Sequence, residues 1–224
     1  MKGRLLDAAQ ALGLALSDAE LDALLAYQGL IAKWNKVYNL TAVRDPEQML
    51  TQHLVDCLAA VPPLRRALAE QGGDAPALLD VGAGAGLPGV VFAILHPQLQ
   101  VHCVDTVAKK AAFVQQVAVE LKLPNLRGLH ARVETLNALS GPGYDLISSR
   151  AFASLVDFVN WSRSALNPGG EWMAMKGKHP ADELLALQAE VPGVDVFHVE
   201  QLQVPGLDAE RCIVWMRPAP APVA

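Results

Sequence analysis

The chain has 224 residues, enough for one or two domains with a buried core. Hydrophobic residues make up 52% and charged residues 18% of it, which excludes an intrinsically disordered protein. The formal net charge is −5, and neither residues 1–75 nor the remainder is basic, which argues against binding of nucleic acid by bulk charge alone. The sequence contains no apolar run long enough for a transmembrane helix, so we expect no membrane partner.

The N-terminus and the cysteines favour a cytoplasmic protein. Asp7 and Gln10 interrupt the apolar stretch that a signal peptide would need, so we expect an amphipathic helix there. Cys57, Cys103 and Cys212 form no CxxC pair, and their number is odd. We therefore expect free thiols in a reducing compartment, and no zinc or other metal site.

The first 75 residues have a helical pattern. Ser17 and Glu20 form a capping box at the start of one helix. Asp45-Pro46 starts another, which we expect to end near Ala60 because two prolines follow at positions 62 and 63. Residues 1–75 are therefore predicted to form a helical extension on the substrate side of the protein.

Short β-rich runs and helical stretches alternate in the rest of the chain. The predicted strands are 77–81, 100–105, 126–131, 144–149, 171–176, 194–204 and 211–217, and the predicted helices are 88–95, 107–122, 154–166 and 181–190. This alternation indicates an α/β fold, with a Rossmann-like seven-stranded sheet covered on both faces. The short connection before the last strand predicts that this strand is antiparallel. We expect the sheet domain to span residues 76–217 and residues 218–224 to form a disordered tail.

The segment LLDVGAGAGLPGV, residues 78–90, places glycines at alternate positions after an apolar run. A P-loop is excluded because GxxxxGK[ST] is absent, and Leu87 replaces the third glycine of a dinucleotide-binding GxGxxG turn. The remaining pattern is DxGxGxG, formed by Asp80, Gly82, Gly84 and Gly86, and we expect Asp80, Gly82 and Gly84 to contact a ligand. An uncharged loop beside an acidic residue suits a ligand with a cationic end, such as S-adenosylmethionine (AdoMet), better than a pyrophosphate.

Further candidate residues follow other predicted strands. Asp105 lies 23 residues after Gly82, a spacing typical of a carboxylate that binds ribose hydroxyls in AdoMet or NAD. Val133 and Glu134 are expected to lie on and beside an adenine, and Arg150 is expected at the same edge of the sheet. Simpler interpretations are a tight glycine turn with Asp105 as a helix cap, Glu134 as a helix N-terminal acid, and Arg150 in a surface ion pair.

Several blocks of the sequence resemble the RsmG (GidB) family of bacterial 16S rRNA guanine-N7 methyltransferases. They are WNKVYNLTAVRDPEQMLTQHLVDCL (34–58), LLDVGAGAGLPGVVFAI (78–94), VDTVAKKAAFVQQVAVELKL (104–123), ARVETL (131–136), ISSRAFASL (147–155) and MKGK (175–178). The resemblance runs from about Leu21 to about Arg217, and YNLTAVRD and RAFASL are its most specific parts.

The resemblance implies a class I AdoMet-dependent methyltransferase fold and AdoMet as cofactor. It implies that the acceptor is N7 of guanine 527 in the 530 loop of 16S rRNA, within the 30S subunit or an assembly intermediate. It also implies cofactor contacts at Gly82, Leu87, the Val133-Glu134 pair and Arg150. Ala83 stands where the family typically has threonine, which removes one hydroxyl from the loop.

This reaction requires few catalytic groups from the enzyme. Guanine N7 carries an in-plane lone pair and no proton, so no general base is needed and positioning dominates. Asn39, His53 and Arg150 are candidates to hold the guanine. Simpler interpretations are a loop cap for Asn39 and a half-buried histidine for His53. Phosphate contacts are predicted for Lys36, Arg44, Lys176, Lys178 and Arg211, each of which could also be a solvated surface charge.

Two other functions are compatible with parts of the sequence. The net charge of −5 is consistent with a methyltransferase that acts on a small molecule or a protein. A nicotinamide-dependent oxidoreductase shares the glycine-rich start, but the missing third glycine and the absence of a Tyr-x-x-x-Lys pair weaken it.

Overall fold

The computed structural model describes residues 1–72, 75–139, 141 and 143–220. The N-terminal part is helical and contains α1 (Lys2–Ala11), α2 (Asp18–Tyr38), α3 (Pro46–Met49), a π-helical turn (Leu50–Val55), α4 (Asp56–Leu58) and α5 (Val61–Gln71). The capping box predicted at Ser17 and Glu20 is present, and the Asp45 side chain accepts a hydrogen bond from the Gln48 amide. None of the helices in the described residues is long and apolar enough to cross a membrane.

The region after Asp45 differs from the prediction of one helix that stops at the prolines. A π-helical turn interrupts it, and Pro62 and Pro63 lie in the first turn of α5 instead of ending the helix. Proline is favoured there because the first amide groups of a helix have no partner within the helix. The proline pair therefore starts a helix, which the sequence analysis missed.

Within the described residues, seven strands form one sheet in the order β3-β2-β1-β4-β5-β7-β6. The strands are β1 (Ala77–Val81), β2 (Gln100–Asp105), β3 (Leu126–His130), β4 (Tyr144–Arg150), β5 (Leu166–Lys176), β6 (Val194–Leu202) and β7 (Arg211–Pro218). Strands β1 to β5 pair in parallel, and β7 is antiparallel to both of its neighbours. This confirms the predicted α/β fold with an antiparallel last strand.

Helices connect the strands and cover both faces of the sheet. They are α6 (Gly89–Leu95), α7 (Ala108–Glu120), α8 (Leu155–Ser162) and α9 (Ala181–Glu190), with 3-10 turns at Val133–Thr135 and Arg163–Ala165. β5 begins at Leu166, five residues before the predicted start at 171. Pro218, expected to begin a tail, is the last residue of β7, and residues 221–224 lie outside the described residues. The three cysteines are free thiols and buried.

The N-terminal helices share a hydrophobic core with one face of the sheet. A single cluster of buried side chains extends from Leu5 through α2, α5 and α6 to Trp215 on β7. The Tyr27 hydroxyl on α2 donates a 2.6 Å hydrogen bond to the Ala85 carbonyl of the glycine loop. The Trp34 ring packs against Phe113 of α7 with centroids 5.4 Å apart. The helical extension is therefore packed directly behind the glycine loop.

Candidate functional site

A cleft lies at the carboxyl ends of the parallel strands. It encloses about 390 Å³ and is lined mainly by residues that follow β1, β2, β3 and β4. The lining residues are Val81, Gly82, Val104, Asp105, Thr106, Val107, Lys110, Ala131, Arg132, Val133, Glu134, Ala151, Phe152 and Trp161. This volume is within the range of small-molecule sites, and open α/β sheets bind their ligands at this edge.

The glycine loop after β1 needs glycine for two reasons. Gly82, Gly84 and Gly86 have φ angles of 66°, 60° and 86°, in the left-handed region that other residues rarely adopt. A Cβ atom added at Gly82 would also lie 2.3 Å from Cδ2 of Phe152, and one at Gly86 would lie 2.5 Å from Val90. The backbone of Gly82 therefore forms part of the cleft wall with no side chain of its own.

Asp105 is fixed at the end of β2 by backbone groups. Its Oδ1 accepts a 2.8 Å hydrogen bond from the Val107 amide, and its Oδ2 accepts a 3.1 Å bond from the Gly84 amide. The Lys110 ammonium lies 3.7 Å from Oδ2. Both interpretations of Asp105 are thus compatible with the structure, because it holds the residue before α7 and also lines the cleft.

Val133 and Glu134 also line the cleft, as the sequence analysis placed them. They belong to a 3-10 turn, in which the Val133 side chain is buried and Glu134 is part of the first turn. Glu134 Oε1 lies 3.8 Å from Nε of Arg132, and both side chains are exposed to solvent. The turn therefore places an apolar side chain and an adjacent carboxylate in the wall of the cleft.

Asp80 and Leu87, both expected to contact the cofactor, are not among the residues that line the cleft. The Asp80 carboxylate is fully buried and accepts hydrogen bonds from the Gly89 amide (2.9 Å) and the Ser148 hydroxyl (3.1 Å). Burial raises the pKa of this carboxyl to about 7. Its position fixes the start of α6 against β4, behind the loop. Leu87 is buried as well, and its amide donates to the Ala83 carbonyl.

Arg150 faces the N-terminal helices and is absent from the lining of the cleft. Its Nη1 donates to Asp56 Oδ2 (2.9 Å) and to the Gln52 carbonyl (3.0 Å). Nε of Arg211 donates to the other Asp56 oxygen (2.6 Å). The Asp56 side chain is only 2% exposed, so the Arg150 ion pair, which was expected at the surface, is largely buried. Asp56 was not among the predicted site residues. Arg211, which was predicted to contact phosphate, forms an ion pair with the same Asp56 carboxylate.

Like Arg150, the candidate guanine-holding residues Asn39 and His53 lie outside the cleft lining. His53 is buried in the π-helical turn, with Nε2 2.8 Å from the Thr41 hydroxyl and no partner for Nδ1 in the described residues. Burial and the nearby Arg150 charge lower the pKa of His53, which favours the neutral imidazole. Asn39 is the left-handed C-terminal cap of α2, and its side-chain oxygen accepts from Arg44 (3.3 Å). The alternative interpretation of Asn39 as a loop cap fits this geometry.

The predicted phosphate contacts are of two kinds. Lys36, Arg44 and Lys178 are exposed. The Lys176 ammonium instead donates to Glu183 (2.8 Å) and to the Ala153 carbonyl (3.0 Å), which ties β5 to α9. Lys176 therefore has less capacity for a phosphate than the exposed cations.

The cleft also contains Phe152 and Trp161, which were not predicted to lie there, together with Lys110 and Arg132. Phe152 belongs to the specific RAFASL block, which was the available signal. Together with Asp105 and Val133, these residues form a site with an acceptor for hydroxyl groups, an apolar wall and aromatic rings. The Asp105 carboxylate and the apolar wall fit the adenosine part of AdoMet, whose ribose needs an acceptor and whose base needs an apolar face.

Comparisons with known proteins give a consistent result. The family model GidB, described as "rRNA small subunit methyltransferase G", matches residues 20–214. A protein of Acidovorax sp. (strain JS42) is 64% identical over 217 residues, covering 95% of this chain and 93% of its own length. A protein of Polaromonas sp. (strain JS666) is 66% identical over 209 residues, covering 93% and 89%. Both are named "Ribosomal RNA small subunit methyltransferase G".

Solved structures support the fold. TrmN from Thermus thermophilus superposes with a TM-score of 0.55 at 22% identity, over 72% of this chain and 48% of that chain. A SAM-dependent methyltransferase from Aquifex aeolicus gives a TM-score of 0.53 at 18% identity, over 77% and 93%. At these identities the similarity establishes the fold alone.

Proposed function

Because this chain belongs to the rRNA small subunit methyltransferase G family, we propose that it transfers a methyl group to N7 of guanine 527 in the 530 loop of 16S rRNA. The chain is a class I methyltransferase, and its cofactor is AdoMet. The observation that carries the proposal is the family match over residues 20–214, which includes the whole cleft. The N7 atom and the 530 loop come from the resemblance of the YNLTAVRD and RAFASL blocks.

In the proposed binding mode, the adenosine of AdoMet occupies the cleft. The Asp105 carboxylate accepts hydrogen bonds from the ribose hydroxyls, since its orientation is already set by the Gly84 and Val107 amides. Val133 packs on the adenine, and Glu134 lies at the edge of the base. The methionine end is proposed to run along the backbone of Gly82, which has no side chain of its own and against which the Phe152 ring packs. Leu87, Asp80 and Arg150 support this site from behind the loop and from the end of β4.

AdoMet supplies an electrophilic methyl group on a sulfonium. The acceptor N7 has its lone pair free, so the residues of the cleft do not have to remove a proton. Their work is to hold the two reactants in line, which in well-oriented systems corresponds to an effective molarity on the order of 10⁵–10⁸ M. The buried Asp80 fits this role, because its carboxylate is engaged in fixing the loop and is unavailable for proton transfer.

The RNA is proposed to approach from the side of the N-terminal helices. Exposure of Lys36, Arg44 and Lys178 supports phosphate contacts at these residues, whereas Lys176 and Arg211 would act mainly through their ion pairs. Asn39 and His53 are proposed to position the guanine or the loop around it. The substrate would be the 30S subunit or an assembly intermediate in the cytoplasm.

The test is methyl transfer in vitro. Purified protein is incubated with methyl-labelled AdoMet and 30S subunits from a strain that lacks this methyltransferase gene, and the digested rRNA is analysed for labelled N7-methylguanosine. We expect incorporation into one guanine of 16S rRNA, and none into subunits from the parent strain, which already carry the methyl group. Label in another nucleoside, or in protein only, would refute the proposal.

A further inference from the structure

Two aromatic side chains at the rim of the cleft have no place in the cofactor binding mode described above. Phe152 and Trp161 both line the cleft and are 37% and 38% exposed. Their rings meet edge to face, with centroids 5.8 Å apart and an interplanar angle of 77°. The buried Phe158 makes a similar contact with Phe152, at 6.4 Å and 78°. The Phe152 ring is therefore held by two aromatic neighbours and still reaches solvent.

The backbone directs Phe152 over the glycine loop. Ala151, directly after β4, has a φ of 51°, an uncommon left-handed conformation for alanine. Arg150, the residue before it, is anchored to Asp56 and to the Gln52 carbonyl. As a result the Phe152 ring lies against Gly82, where an added Cβ would be 2.3 Å from its Cδ2.

We propose that Phe152 is the stacking surface for the base that accepts the methyl group, and that Trp161 supports its ring. The inference rests on the proposed function, because that function places the methyl-donating end of AdoMet along the backbone of Gly82. A group that contacts Gly82 from the solvent side therefore lies next to the transferred methyl group. Exposed aromatic rings are the groups on which proteins stack bases that have been taken out of a nucleic acid.

The chemistry of N7 explains why stacking would serve this reaction. The lone pair of N7 lies in the plane of the base, so in-line attack requires that this plane is fixed relative to the sulfonium. A ring stacked on the base fixes the plane and leaves the N7 edge free. Arg132, which lines the same cleft with a 75% exposed side chain, is placed to contact a phosphate beside the extruded nucleotide.

The experiment compares Phe152→Leu, Phe152→Tyr and the control Phe197→Leu. Leucine keeps an apolar side chain without an aromatic face, and tyrosine restores that face. Phe197 is a phenylalanine of equal exposure, 38%, on β6 and away from the cleft. For each variant, kcat/KM is measured with 30S subunits that lack the methyl group, AdoMet affinity is measured by calorimetry, and folding is checked by thermal unfolding.

We expect Phe152→Leu to lower kcat/KM for the subunits by about tenfold to a hundredfold, the range that loss of one base–aromatic stack gives. AdoMet affinity should change by less than about twofold, Phe152→Tyr should recover most of the activity, and Phe197→Leu should match the wild type.

Equal activity of Phe152→Leu and Phe197→Leu would overturn the inference while the proposed function stands. A loss of AdoMet affinity as large as the loss of activity would also overturn it, by assigning Phe152 to the cofactor. A wild-type protein that leaves 16S rRNA unmethylated would refute the proposed function, and this inference with it.

Discussion

Asp105 is the side chain on which the proposed cofactor binding depends most. Its two oxygens are oriented by backbone amides, and they retain lone pairs for ribose hydroxyls. Replacing Asp105 with alanine should weaken AdoMet binding by about 1–3 kcal/mol, because the hydroxyls lose their partner. Calorimetric titration measures this directly. Asp195→Ala, which changes an exposed carboxylate on β6, is the control. An Asp105→Ala affinity equal to that of the control would show that another group holds the ribose.

The buried carboxyl of Asp80 predicts a pH dependence of stability. Its pKa is raised from 3.8 to about 7 by burial, so in the folded protein it keeps its proton up to a higher pH than in the unfolded chain. The stability gained from this protonation is fully present below about pH 4 and is lost as the pH rises towards 7. Asp80→Asn is neutral, and it can still accept from Gly89 and contact Ser148.

The unfolding free energies of the wild type and Asp80→Asn should therefore diverge with pH. Between pH 5 and pH 8 the wild type should lose more than about 1 kcal/mol relative to the variant, since one pKa unit corresponds to about 1.4 kcal/mol. Urea unfolding at several pH values measures this difference. A constant difference across this interval would mean that the carboxyl is already ionised at pH 5.

At the scale of elements, Asp56 connects three parts of the chain. It belongs to α4 and binds Arg150 at the end of β4 and Arg211 at the start of β7. Asp56→Ala leaves two largely buried arginines without their carboxylate, and we expect a loss of about 3 kcal/mol in unfolding free energy. Asp195→Ala breaks the exposed pair with Arg217 and should cost less than about 1 kcal/mol. Similar losses in chemical denaturation of the two variants would contradict the assigned role of Asp56.

The same elements show what the sequence could and could not predict. The strands are recognisable as short runs that alternate with helical stretches, and β1, β2, β3 and β4 were placed to within one residue. Asp105, Val133 and Glu134 were expected at this edge of the sheet because each lies at the end of a predicted strand or within three residues after it. The π-helical turn was missed, because no local residue pattern marks it.

Long-range partners were missed for a different physical reason. Asp56 and Arg150 are 94 positions apart, and Arg211 is 155 positions from Asp56. A sequence pattern shows that such residues are charged, but only the strand order and helix packing decide which charges meet. The contact of Phe152 with Gly82 depends in the same way on the pairing of β4 with β1. Asp80 was expected in the cleft because it is acidic, but its side chain lies behind the glycine loop, between the start of α6 and β4.

For the whole molecule, the net charge of −5 makes RNA binding depend on a few local cations. Lys36 and Arg44 are exposed on the helical extension, and changing both to glutamate should lower kcat/KM on 30S subunits by at least about tenfold, with AdoMet affinity unchanged. Lys122 and Arg127 lie after α7 and near the start of β3, at the amino ends of the strands and outside the cleft lining, and are also exposed. Their double glutamate variant has the same net charge and should remain active. Equal losses in both variants would indicate a nonspecific charge effect.

The shared core predicts that the helical extension and the sheet unfold together. One cluster of buried side chains includes both Leu5 of the extension and Trp215 of the sheet, and Tyr27 is hydrogen-bonded to the glycine loop, so the extension shares its core with one face of the sheet. Urea unfolding followed by far-UV circular dichroism and by tryptophan fluorescence should give coincident single transitions. AdoMet at about 100 times its Kd should shift the whole transition by about 2.7 kcal/mol, because the ligand binds only the folded state. Two separate transitions, with only the second shifted by AdoMet, would show instead that the extension folds independently of the cofactor cleft.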